Sequence, residues 1–169
     1  MSESHTHLDI KADLYWSQIE IGIFARDEKN IGKTRTDVLT YVRDYLVAVE
    51  IQHTPLSMKS VQHRMLQHTR EGAHTLWLFT PELLIYNGNQ IRNFNWVLFI
   101  QSIQDGMIFM PCENPQKIMP ARIGNADGQK ILDKKDPIDL DELDFETMQG
   151  LNTTCKKGLE WDTKEMDGY

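Results

Sequence analysis

Cysteine is scarce in this 169-residue chain: Cys112 and Cys155 stand 43 positions apart, with no CxxC pair. That excludes a disulfide framework and makes a reducing, cytoplasmic setting the expectation. Long hydrophobic runs are missing as well. No uninterrupted apolar run exceeds five residues, the length of Trp96–Ile100, against about 20 for a membrane-spanning helix. No membrane partner is therefore expected. The opening Met1-Ser2-Glu3-Ser4-His5 lacks the basic-then-apolar order of a secretory signal. Positive charge is in deficit, with 18 Lys+Arg against 25 Asp+Glu and a net of −7. Taken whole, that balance argues against a protein that coats nucleic acid non-specifically. Internal repeats and low-complexity runs are also absent.

What remains is ordinary for a globular protein: 40% hydrophobic and 25% charged residues. The length suits one domain with an appendage and is enough to bury a real core. The charge divides unevenly. Residues 1–124 carry 12 Lys+Arg against 13 Asp+Glu, a net of −1, and all six histidines. Residues 125–169 carry 6 against 12, a net of −6. The expected organisation is thus a folded unit over 1–124 followed by an acidic segment over 125–169. In that segment one or two short helices are expected, the first capped by Asp139 or Asp141. Its spacing does not fit a calcium-binding loop.

Residues 3–16 have helical spacing of Leu8, Ala12, Tyr15 and Trp16. Ile19, Ile21 and Ile23 alternate with Glu20, Gly22 and Phe24, which predicts a strand. Asp27–Thr34 reads as a loop. Two further strands are predicted over Arg35–Arg43 and Leu46–Thr54, followed by Pro55 and a helix capped by Ser57 and running to Glu71. Met58, Val61 and Met65 form its inward face. Gly72 ends that helix, and His74–Thr80, with Leu76-Trp77-Leu78-Phe79, is a buried strand. Asn87-Gly88 predicts a hairpin turn between Leu83–Tyr86 and Gln90–Arg92. Phe94–Ile103 and Met107–Met110 are apolar enough to pack on the core. Helix, three strands, helix and strand in that order indicate a mixed α/β sheet.

Carboxylates are poor strand residues, so Asp37 and Glu50 inside two β-rich segments need a reason. Glu50 and Gln52, two apart, share a sheet face. With the two strands joined at Asp44-Tyr45, Arg43 faces Leu46 and Asp37 lies opposite Gln52, diagonal to Glu50 on one face. A slip of one residue would send Asp37 to the other face. The match of Val38, Thr40 and Val42 with Val47, Val49 and Ile51 favours the productive register. Two acidic charges converging there repel unless a cation lies between them, and paired carboxylates with waters suit Mg²⁺. Glu20 has the parity to join that face.

At this point the chain resembles the PD-(D/E)XK nuclease superfamily, of restriction-endonuclease-like fold. More narrowly it is similar to the nuclease-like domain of the competence protein CoiA family. The resemblance rests on Ser4-His5, His7 and Lys11, on Arg35-Thr36-Asp37-Val38-Leu39, and on Val49-Glu50-Ile51-Gln52-His53-Thr54. It continues through Ser57, Arg64 and the Trp77 strand, covering roughly residues 4–110. Two positions depart from the superfamily pattern: Gln52 replaces the usual Lys and Thr36 the nominal Pro. Gln can orient a water through its amide but supplies no positive charge.

The resemblance implies an αβββαβ core whose mixed sheet is flanked by helices, and a divalent-metal-dependent endonuclease acting on DNA. Catalysis would fall to Asp37, Glu50 and Gln52. Mg²⁺ or Mn²⁺ would be held by Asp37, Glu50 and the carbonyl of Ile51, with Glu20 as a further ligand. His63, Arg64, Arg35 and His53 would meet the nucleic acid. Analogy with such nucleases also implies a homodimer, and the acidic segment would bind a protein partner or regulate access of DNA. The alternative is a non-catalytic DNA- or protein-binding module of the same fold, involved in DNA uptake, recombination or repair. A third reading, from the acidic segment, is a DNA-mimic or interaction protein.

Plainer readings stand beside these. Asp37 and Glu50 fit edge-strand carboxylates bonded to Arg35, Arg43 or Lys33. An exposed helix face explains the stripe of His63, Arg64, Gln67 and Arg70. His5-x-His7 and His63-x4-His68 read as surface histidines, since no third metal ligand is placed. Gly32-Lys33-Thr34 lacks the earlier glycine of a P-loop, because Asp27 stands there.

Overall fold

The structure is a computed structural model and describes residues 8–14, 25–27, 30–31, 34–92 and 94–145. Residues 8–14 form helix α1, which buries Leu14 and leaves Leu8 41% exposed. Its inward face therefore runs through Ile10 and Leu14 rather than through Leu8 and Ala12. Tyr15, Trp16 and the strand expected over Ile19–Phe24, with Glu20, lie outside the described residues. Strands β1 (Ala25–Asp27), β2 (Asn30–Ile31) and β3 (Thr34–Arg35) follow. The expected loop Asp27–Thr34 is thus partly paired: Asp27 lies against Val38, and Asn30 and Ile31 face Arg35 and Thr34.

Strands β4 (Val38–Val42) and β5 (Tyr45–Gln52) are the two β-branched segments, folded as an antiparallel hairpin around Arg43-Asp44. Val38 pairs with Val49 and Val42 with Tyr45. The register is two residues off the expected one, in which Arg43 faced Leu46. Two local features account for the difference. Arg43 takes a left-handed φ of 54° at the turn, as tight hairpin turns demand. Meanwhile the ring of Tyr45 lies 5.3 Å from that of His74 and 5.4 Å from that of Phe145, which keeps Tyr45 in the strand. A shift of two preserves the parity of every side chain.

Helix α2 (Met58–Arg70) begins where Ser57 Oγ accepts the Ser60 N–H at 3.1 Å. Val61 and Met65 are buried on its inward face, as the spacing predicted. Gly72, at φ 77°, lets the chain leave the helix and enter β6 (His74–Phe79). β6 runs parallel to β5, pairing Val47 with His74 through Gln52 with Phe79. The unit β5–α2–β6 is a βαβ crossover, which lays α2 over one face of the sheet.

Helix α3 (Pro81–Leu84) takes up the start of the expected strand Leu83–Tyr86, because Pro81 suits a first helical turn. Strands β7 (Ile85–Asn87) and β8 (Gln90–Ile91) then pair around Gly88-Asn89. Phe94–Ile103 largely becomes helix α4 (Asn95–Ile103), and Met107–Met110 largely becomes β9 (Ile108–Pro111), parallel to β6. Just beyond α4, the buried Gln104 accepts the Trp77 N–H at 3.0 Å, satisfying a donor where β6 and β9 barely pair.

Strands β10 (Lys117–Ala126), β11 (Gln129–Lys134) and β12 (Ile138–Asp139) follow, then a 3-10 turn at Leu140–Glu142. The division expected between residues 124 and 125 falls inside β10. Ile123 pairs with Leu132 across that point, and Asp127-Gly128 is a hairpin turn with both residues at positive φ. Residues 125–143 therefore contribute to the fold and are not a solvated tail. Counting large apolar residues missed this because β10 and β11 need only one buried face each. Asp139 does precede the 3-10 turn as its cap, its N–H donating to Glu142 Oε2 at 2.8 Å.

Among the described residues one mixed sheet runs β1-β4-β5-β6-β9-β10-β11-β8-β7, with β12 also on β10, while β2 and β3 form a separate pair. Each face carries its own core. One face holds Val61, Met65, Trp77, Phe79, Trp96, Ile100 and Ile108 beneath α2 and α4. The other holds Val38, Val47, Val49, Ile51, Leu76 and Leu78 with Leu14 of α1 and Leu140, Leu143 and Phe145. Alternation along β5 assigns Val47, Val49 and Ile51 to the second face. Ala48, Glu50 and Gln52 therefore turn toward α2.

Candidate active site

The segment entering β4 is fastened to β5 by side chains. Thr36, fully buried, donates its hydroxyl to the Val49 carbonyl at 3.0 Å. Asp37 Oδ2 accepts the Ile51 N–H at 2.8 Å. That bond brings Asp37 beside the end of β5 that carries Glu50, near enough for its charge to act on the Glu50 carboxyl. Edge-strand placement is excluded for Glu50, since β5 lies between β4 and β6 and the residue is only 1% exposed.

Helix α2 supplies the groups above Glu50. Arg64 Nη1 lies 2.8 Å from Glu50 Oε2, and His68 Nε2 lies 3.3 Å from Glu50 Oε1. One helical turn separates Arg64 and His68, so both reach the same carboxylate. The Arg64 bond is short and charge-assisted. The His68 contact is an ion-pair distance that lacks hydrogen-bond geometry, and both its atoms are buried without a hydrogen-bond partner. The other ring nitrogen, Nδ1, lies 2.7 Å from Thr75 Oγ1 on β6.

Burial dominates the electrostatics. It pushes the Glu50 carboxyl up to about 8, with the Asp37 charge adding to the rise; Arg64 and the Thr36 hydroxyl offset only part of it. Burial likewise pushes His68 down to about 4, with the Arg64 charge acting in the same direction. The metal-free protein therefore holds His68 neutral at pH 7 and favours a protonated Glu50.

The family model of the competence protein CoiA nuclease-like domain matches residues 3–150. The chain belongs to that family. The CoiA-type nuclease-like domain accordingly takes in β10, β11 and β12, whereas the resemblance noted above stopped near residue 110. No curated protein and no solved structure matches the chain. The mixed sheet flanked by helices agrees with the restriction-endonuclease-like type that the family represents.

In this CoiA-type domain the donor set fits a hard divalent cation. Two adjacent carboxylates and a main-chain carbonyl suit Mg²⁺ or Mn²⁺, which keep several waters and need no dedicated cage. Glu50 Oε1, buried without a hydrogen bond, is the atom such an ion would satisfy. No cluster of three or more His, Cys, Asp or Glu positioned for a metal occurs among the described residues. The fit therefore rests on two carboxylates completed by oxygen from main chain and water.

Gln52, buried on the Glu50 face, donates Nε2 to the Thr54 carbonyl at 2.6 Å, which aims the amide and leaves Oε1 as its acceptor end. Arg64 does not stand as an unengaged phosphate ligand, because Glu50 occupies it. His63 and His53 are half-buried on α2 and after β5, and Arg35 is exposed on β3. Glu20 lies outside the described residues. Among the described residues, His68 and Thr75 are the site groups that sequence reasoning missed. His68 is fully buried, not a surface histidine. Its signal was the four-residue step from Arg64, which predicts a shared helix face.

Proposed function

We propose that the chain is a divalent-metal-dependent endonuclease that hydrolyses phosphodiester bonds of DNA. The observation that supports this reading is the Asp37 carboxylate, bonded to the Ile51 N–H and acting by its charge on Glu50, the latter almost wholly buried. For both carboxylates to be ionised a further cation is needed beside Arg64, and the family is nuclease-like. When bound, Mg²⁺ or Mn²⁺ activates a water and offsets charge on the phosphate. Asp37, Glu50 and the Ile51 carbonyl would hold the ion. Gln52, its amide nitrogen anchored on Thr54, accepts a hydrogen bond from the attacking water through Oε1 and orients it. Arg64, 34% exposed beside Glu50, is the cation nearest the phosphate oxygens. His63, Arg35 and His53 are the further DNA contacts.

The test is cleavage of plasmid DNA with Mg²⁺ or Mn²⁺. Asp37→Ala and Glu50→Ala should each lower the rate on the order of a hundredfold, and chelation should abolish cleavage. Wild-type rates in both variants would overturn the assignment. A second reading, a non-catalytic DNA- or protein-binding module, draws support from Arg64, which already answers the Glu50 carboxylate. Calorimetric metal titration separates the two: heat that disappears in Asp37→Asn favours the enzyme, and no heat with the wild type favours the module.

A further inference from the structure

Behind Glu50 lies a chain of buried polar groups, of which Thr75 and His68 have no part in the proposed chemistry. Thr75 on β6, His68 on α2 and Glu50 on β5 are all buried, with Thr75 Oγ1 2.7 Å from His68 Nδ1 and His68 Nε2 3.3 Å from Glu50 Oε1. His68 is the only histidine among the fully buried large side chains of the described residues. Burying an imidazole costs free energy unless both nitrogens are used. One nitrogen is served by Thr75. The other faces only a carboxylate.

We infer that His68 is a positioning residue for Glu50, its Nε2–H turned to Glu50 Oε1 and its Nδ1 held by the Thr75 hydroxyl. The inference rests on the reading of Glu50 as a metal ligand. An ionised carboxylate only accepts. Nε2 must then carry the hydrogen, Nδ1 must accept, and the Thr75 hydroxyl must donate to it. Arg64 bonds Oε2 at 2.8 Å and His68 Nε2 stands 3.3 Å from Oε1, so α2 meets the carboxylate at two points one helical turn apart. Without these contacts the carboxylate could rotate about its last bond and lose its aim toward a cation shared with Asp37. Supporting groups of this kind orient first ligands elsewhere, and their loss costs roughly ten- to a hundredfold in metal affinity.

The test uses the full chain and two ions. Mn²⁺ titration by calorimetry should weaken roughly tenfold or more in His68→Leu, while His68→Gln, which keeps an N–H in place of Nε2–H, should recover most of the affinity. Thr75→Val should fall between them. Thermal melts identify any variant that fails to fold. Independently, nitrogen NMR of the imidazoles with Mg²⁺ bound should find His68 in the Nε2–H form. Equal Mn²⁺ affinity in wild type and His68→Leu overturns the inference alone. So does a His68→Gln protein no better than His68→Leu, or an Nδ1–H tautomer with Mg²⁺ bound. A wild-type protein that binds neither ion overturns the metal reading, and the inference with it.

Discussion

Asp37 accepts the Ile51 N–H beside Glu50, and its charge adds to burial in pushing the Glu50 carboxyl up to about 8. The bond ties the entry of β4 to the strand that carries Glu50, so the hairpin that places one acidic group also places the other. In the metal-free protein a proton and Arg64 share the task that a divalent cation would take over.

Stability should depend on pH in a specific way. Glu50 has a folded pKa of about 8 against an ordinary 4.5. Its contribution is therefore full below about 4.5 and lost as pH rises to about 8. His68, lowered from 6.5 to about 4, contributes above about 6.5 and loses that contribution as pH falls to about 4. The two slopes oppose each other between 4.5 and 6.5, and Glu50 alone acts above. Thermal melts in chelator should thus fall between pH 6.5 and 8, and Glu50→Gln should flatten that decline. A variant that keeps the wild-type slope would sink the assignment.

Removing Arg64 should weaken the metal-free fold. Arg64→Leu deletes a charge-assisted bond to a buried carboxylate, a loss of about 1–3 kcal/mol that partial exposure of the guanidinium moves toward the lower end. Saturating Mn²⁺ should then raise the melting temperature of the variant more than that of the wild type, since the ion replaces the missing cation. An equal rise in both proteins counts against a shared carboxylate.

Thr36 fastens the strand entry. Thr36→Val keeps the shape but leaves the Val49 carbonyl without that donor, a cost of about 1–2 kcal/mol. Denaturant melts measure it. Because Thr36 also offsets the rise in the Glu50 pKa, the variant should need a higher pH for metal binding, read by calorimetry at several pH values. An unchanged pH dependence would limit Thr36 to a structural role.

Cutting the chain after residue 124 should destroy the fold rather than trim a tail. The cut severs β10 between Gly124 and Asn125 and removes Leu132 from one core and Leu140, Leu143 and Phe145 from the other. The 1–124 fragment should lose cooperative unfolding in calorimetry. A fragment melting as one sharp transition would restore the boundary read from charge.

Periodicity made much of the fold legible: the β-branched strands, the helix capped by Ser57, and the buried Trp77 strand follow from local spacing. The face shared by Glu50 and Gln52 was equally legible, because parity survives a slip of two. The β10–β11 hairpin was not, since its charges masked a single buried face. His68 was hidden because a polar residue on a helix reads as exposed until something packs over it.

Sequence alone determined that Glu50 and Gln52 share one face of a strand ahead of a helix carrying Arg64, since residue spacing sets side-chain direction within each element. Only the tertiary structure decided how Asp37 meets that strand and what answers the charge of Glu50. Phe145 and His74, remote in sequence, pack on Tyr45 and help hold the register. The βαβ crossover drops Arg64 and His68 onto Glu50 from a different element. Contacts between elements depend on packing geometry, which no local pattern encodes.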